Sequence, residues 1–236
     1  MTKAEKVRIG RCAHFIAGAA LAAPALAFEI VFDYTYDTGF FDDANKVILE
    51  QAASFFETYI ADDFTAITSN GGNHFNATFT NPGNRNNSVT LTDFDVAADT
   101  IVVFVGGYDY GTGSNTLGSG GYGGYSISGT TSFVDNAVTR GETATRDGVR
   151  NPDASTKSAV DFATWGGSIS FNENADWYFD TDVSTNESFT GADFYSVALH
   201  ELGHVLGIGT ADSWDNLIAN GQFTGPESVA AYGGNL

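Results

Sequence analysis

Cysteine is nearly absent from this chain: Cys12 is the only one in 236 residues. One thiol closes no internal disulfide and builds no multi-thiolate metal site, so a stapled scaffold and a zinc-ribbon chemistry are both excluded. Methionine is equally scarce, with Met1 alone. Positive charge is thin, at 10 Lys and Arg against 29 Asp and Glu, for a net charge of −19. Such a chain repels phosphates and anionic lipid surfaces, so no nucleic-acid partner is expected. No stretch reaches the roughly 18 consecutive apolar residues of a membrane-crossing helix.

The nearest approach, Phe15 to Leu26, is Ala-rich, follows Lys3, Lys6, Arg8 and Arg11, and runs into Ala25-Leu26-Ala27 at its end. That order of positive region, apolar region and A-x-A site reads as a secretory signal over residues 1–27, removed on export. The mature protein, residues 28–236, is then expected to be secreted, with no membrane insertion after signal removal. It keeps 6 basic against 28 acidic residues, net −22, and loses Cys12. Any metal it holds must be bound by His, Asp or Glu. Its length suits one domain with a sizeable core. Nothing in the pattern sets an oligomeric state.

Along the mature chain, Phe28 to Tyr36 alternates as a first strand, and Asp42 or Asp43 is placed to cap a helix over 43–61 with Ile48, Ala52, Phe55 and Tyr59 at helical spacing. Residues 69–88 are polar and read as loop or hairpin. Thr100 to Val105 is a short β-branched run, hence a buried strand. Nine of the nineteen residues from Gly106 to Gly124 are Gly, which predicts a long irregular loop beside the cleft. Within it Gly118-Ser-Gly120-Gly-Tyr-Gly123 fits G-x-G-x-x-G, but Ser126-Ile-Ser-Gly follows instead of a helix, so no dinucleotide site is expected. Ser168 to Asn172 alternates and reads as an edge strand. Asp176, Asp180 and Asp182 beside Asn172 and Asn174 make Ca2+ a candidate ligand, without EF-hand spacing.

The chemistry concentrates at His200-Glu201-Leu202-Gly203-His204. With four His and nine Glu in the chain, H-E-x-x-H arises by chance about 0.003 times, so the motif calls for an explanation. Two imidazoles four apart share one helix face and can grip one metal ion, while Glu201 projects about 100° away, near the ion without ligating it. The flanks agree: Phe194 to Leu206 reads as a helix with an apolar stripe of Leu199, Leu202 and Leu206, margins at Ala198 and Val205, and the histidines opposite. Thr190 to Asp193 has capping-box form, and Gly207 and Gly209 are stop signals. Without cysteine, the fitting metal is catalytic Zn2+. Zinc lowers the pKa of bound water to about 7, and Glu201 is the base placed to take that water's proton. The expected reaction is hydrolysis of a peptide bond in a protein or peptide substrate.

His200-Glu-Leu-Gly-His204-Val-Leu-Gly207 resembles the H-E-x-x-H-x-x-G core of the metzincin metalloproteases, and the string from Tyr195 to Trp214 is similar to secreted bacterial matrixin-like and leishmanolysin-related members. The resemblance implies an α+β, zincin-like catalytic domain over residues 28–236, with a twisted mixed sheet whose edge strand lies over the active-site helix. It implies that Ser168, Ile169 and Ser170 pair with an extended substrate. Two features depart from the family pattern. Thr210 stands six residues after His204, where the compact motif has its third ligand, and no methionine is available for a Met-turn. With 32 residues following His204, the expectation is an incomplete C-terminal subdomain and a third zinc ligand encoded after Leu236. Asp212, Asp215 and His74 are weaker candidates. Two alternatives stay open: a gluzincin arrangement using Glu227, and an inactive protease-like extracellular binding module.

Overall fold

Strand β1, Glu29–Asp33, ends where the Asp33 side chain accepts a hydrogen bond from the Thr35 amide at 2.7 Å and turns the chain. The computed structural model describes residues 28–61, 63–141, 164–215 and 217–233; the expected signal over 1–27 lies outside them. Helix α1, Asp43–Tyr59, opens on a reciprocal capping box: Asp42 accepts from the amides of Ala44 and Asn45, and Asn45 Oδ1 accepts from the Asp42 amide, each at 2.9 Å. It buries Ile48, Leu49, Ala52 and Ala53 at helical spacing. The polar stretch after it contains a hairpin, β2 (His74–Thr80) against β3 (Ser88–Leu91), in which Phe75, Ala77 and Phe79 point inward.

Strand β4, Thr100–Tyr108, runs past the apolar segment that marks it in the sequence. Gly106 and Gly107 continue it by pairing with Ser170 and Phe171 of the strand at 166–172, and at Gly107 no side chain fits: a Cβ there would lie 2.3 Å from Phe40 Cβ. The glycine-rich region beyond is an irregular loop only over 109–117, contrary to the expectation that it runs to Gly124. It contains β5, Gly118–Tyr122, and β6, Gly124–Ser128, on either side of Gly123. Helix α2, Thr131–Thr139, strand β7, Gly166–Asn172, the short strands β8 (Trp177–Tyr178) and β9 (Ala192–Asp193), and helix α3, Phe194–Val205, complete the frame. Beyond α3 lie a helical turn at Asp212–Asp215, a two-residue ladder and a helix at Pro226–Tyr232.

The main sheet has the order β1-β4-β7-β5, parallel except for β5, which runs antiparallel to β7. A second sheet, β3-β2-β6, is antiparallel. The two faces of β4 build two cores. Ile101, Val103 and Val105 join Ile169 and Phe171 under α1 and α3, whereas Phe104 packs with Trp165, Phe75 and Phe79 of the second-sheet side. The molecule is therefore helices on sheet on sheet. The mixed α/β architecture with a mixed main sheet agrees with the fold class expected. The edge does not: Ser168 to Asn172 is flanked by β4 on one side and β5 on the other, and the edge strands are β1 and β5.

The chain crosses from one sheet to the other at Gly123, where a Cβ would lie 1.9 Å from Trp165 Cζ2; the Trp165 indole donates to the Gly124 carbonyl at 3.0 Å. Arg140 ties the far end together. Buried at the C-terminus of α2, its guanidinium donates to the carbonyls of Thr65, Thr164, Ala97 and Thr100 at 2.6–3.2 Å. Burial pushes it down to about 10, against the pull of Asp99, so it stays charged at neutral pH.

Candidate metal and catalytic site

Helix α3 carries the site because its two faces differ. Phe194, Ala198, Leu202 and Val205 are buried, with Leu206 just beyond the helix; Leu199, expected in the stripe, is only partly covered. The N-cap is Asp193, three residues later than the Thr190 position of a capping box, and its Oδ2 accepts from the Ser196 amide at 3.1 Å. At the other end Gly207, at φ +92°, turns the chain, and the Ile208 amide reaches back to the Gly203 carbonyl at 2.9 Å.

That turn fixes His204. Its Nδ1 lies 2.8 Å from the Ile208 carbonyl, an oxygen that only accepts, so the proton sits on Nδ1 and the lone pair is on Nε2. His204 Nε2 and His200 Nε2 converge to 2.9 Å with their rings nearly perpendicular, at 84°. Nitrogens meet that closely around a shared proton or cation. A pair of imidazole nitrogens with no thiolate nearby is a donor set suited to zinc, so the residues fit such an ion. Among the described residues no group of three His, Cys, Asp or Glu side chains forms a metal site.

Glu201 lies on a different flank of the helix, 6% exposed, and its Oε2 accepts from the Gly120 amide of β5 at 2.5 Å. The strand touches the helix through glycines. A Cβ on Gly118 would lie 3.0 Å from Glu201 Cγ and Oε1, and one on Gly120 would lie 2.4 Å from the Glu201 carbonyl oxygen. Nearby, Arg85 reaches the Ser119 carbonyl and the Ser170 hydroxyl at 3.5 and 3.4 Å and stacks 5.5 Å from the Tyr110 ring. Burial pushes the Tyr110 hydroxyl above its ordinary range, with Arg85 opposing and the negative Glu201 adding to the rise.

The other expected residues fall elsewhere. Ser168, Ile169 and Ser170, expected to pair with substrate, are buried, and their backbone is already paired with Phe104 to Gly106 and with Ser119 to Gly121. They offer no free edge. Thr210 turns its hydroxyl to the His204 carbonyl at 2.7 Å. His74 begins β2 and pairs with Asp93 at 2.7 Å. Asp215 is exposed; Asp212 and Glu227 lie in the helical segments after α3, with their side chains outside the described part. The candidate calcium carboxylates do not assemble: Asp182 accepts from the Ser184 amide, and Asp180 accepts from the Asp182 amide at 2.8 Å. Gly118 and Gly120 are the site residues that sequence reading passed over. Their spacing of two, the period of one strand face, is the signal that points to them.

Residues 133–222 match the family model described as Matrixin, Peptidase_M10. The matched stretch runs from α2 through α3 and contains His200, Glu201 and His204, which supports a metzincin-like, zinc-dependent metalloprotease family in general. No curated protein and no solved structure matches the chain.

Proposed function

We propose that this chain is a secreted zinc metalloendopeptidase in which His200 and His204 hold the metal and Glu201 is the general base. The observation that carries the reading is the convergence of two Nε2 atoms to 2.9 Å on α3, inside the stretch matched by the matrixin model. When bound, zinc supplies Lewis acidity toward water and toward the scissile carbonyl. The residues supply the rest. His204, oriented by the Ile208 carbonyl, presents a lone pair without a proton to lose. Glu201 accepts the proton of the attacking water and delivers it to the leaving amine, a role that needs a carboxylate shielded from bulk solvent. Its 6% exposure and its place under β5 suit that role. Export with loss of residues 1–27 belongs to the same proposal, and sequencing of secreted protein from Phe28 supports it, whereas a retained Met1 refutes it.

The test is a zinc-titrated peptidase assay on the exported full chain. Cleavage that requires zinc and stops with chelator supports the proposal; a zinc-loaded protein without cleavage of any unfolded polypeptide leaves only a binding module. Substitution of His74, Asp212, Asp215 and Glu227 in turn, with zinc affinity as readout, searches this chain for a third ligand.

A further inference from the structure

Resting on the peptidase reading, we propose that Gly118 and Gly120 of β5 are positioning residues for Glu201, a seat that fixes its carboxyl against the sheet edge. In an antiparallel pair, successive amides point alternately toward the neighbouring strand and away from it. The Gly120 amide donates to Glu201 rather than to β7, so it belongs to the outward set of an edge strand. An outward amide is a steerable donor with no ladder partner, and here it holds a carboxylate at 2.5 Å.

The same strand face has been cleared for the helix. At Gly120 any side chain would strike the Glu201 carbonyl oxygen at 2.4 Å, so this glycine sets how closely α3 approaches. At Gly118 the obstruction is to the side chain itself, 3.0 Å from Cγ and from Oε1 and 3.2 Å from Cδ. One glycine thus admits the helix backbone and the other admits the carboxyl group, while the amide between strand and helix orients it. Neither glycine has a φ that demands glycine, so backbone conformation does not account for them. Space does. A base on a rigid seat is preorganised, and a displacement of about 1 Å in such a group costs about 10²-fold in rate.

Two measurements test the seat. In hydrogen exchange resolved by residue, the Gly120 amide is protected in the parent and becomes fast in Glu201→Ala, while β4 and β7 amides keep their protection. In kinetics, Gly118→Ala lowers kcat several-fold and leaves KM and bound zinc within about twofold, because it moves the base by a few tenths of an ångström and touches no ligand. Added to Glu201→Asp, whose shorter side chain vacates the space beside residue 118, Gly118→Ala costs less than about twofold more. Equal Gly120 exchange in the parent and in Glu201→Ala overturns the seat, as does parent-like kcat in Gly118→Ala. A parent protein with no zinc-dependent cleavage overturns the peptidase reading, and the exchange measurement, which needs no activity, still decides whether Glu201 occupies the Gly120 amide.

Discussion

The hydroxyl of Thr210 donates to the main-chain oxygen of His204 at 2.7 Å. The position at which a compact metzincin motif carries its third ligand is therefore occupied in closing the helix that carries His204, the proposed second one. That carbonyl, in the last turn of α3, also accepts from the Gly207 amide at 3.1 Å, and Thr210 adds a second, shorter hydrogen bond to it. Thr210→Val should cost about 1 kcal/mol of stability by urea denaturation, with zinc stoichiometry unchanged. A loss of zinc in Thr210→Val would mean that the hydroxyl serves the metal instead.

His200 and Glu201 are neighbours with separable failures. His200→Ala or His204→Ala should abolish zinc binding, read by metal analysis after dialysis, because each removes half of the donor pair. Glu201→Gln keeps both donors and should retain zinc while kcat falls about 10²- to 10⁴-fold. Near-normal turnover in Glu201→Gln would remove the base assignment.

Arg140 carries a buried charge with four carbonyl acceptors and, among the described residues, no carboxylate at bonding distance. Arg140→Met deletes the donor and leaves those oxygens without it, at a cost of at least about 3 kcal/mol. Chemical denaturation of the variant measures this, and a change under 1 kcal/mol would show that water replaces the guanidinium freely.

Glu50 gives the fold a pH dependence of definite sign. Partial burial on α1, together with the negative charges of Glu57 and Glu29, raises its pKa above the ordinary 4.5. Below that value the carboxyl is protonated in both folded and unfolded chains and contributes nothing. As pH rises through it, the unfolded chain ionises first, so stability falls until the folded group has ionised too. Glu50→Gln should therefore raise the denaturation midpoint at pH 7 and leave it unchanged at pH 3.5. An equal rise at both pH values would assign the gain to something other than charge.

Helix α3 and its histidines are legible in the sequence because the signal is local: spacing of four, an apolar stripe, glycine at the end. Helix α1 and strand β4 follow for the same reason. Strand β5 is not legible, since a strand is recognised by its side chains and β5 has none at Gly118 and Gly120, where it meets α3. Ser168 and Ser170 mislead in the opposite way. Polar alternation suggests a solvated face, yet both are buried, because β5 and Arg85 lie over and beside them and a second sheet backs the first. Which strand is an edge is a property of pairing across more than forty residues of sequence, and periodicity carries no information about it.

Strands β5 and β6 belong to different sheets and have only Gly123 between them. The spacing from Gly118 to Ile127 therefore behaves as a ruler. Inserting one residue at 123 would turn either the glycine face of β5 away from Glu201 or Tyr125 and Ile127 out of the second core, since a shift of one residue reverses every side chain of a strand. Length variation has one tolerant outlet nearby, the exposed turn at Gly111 and Gly113 ahead of β5, whose glycines have open space around them. An insertion scan across 109–124 should give folded, zinc-binding protein on the N-terminal side of Gly118 and none from there to Gly124.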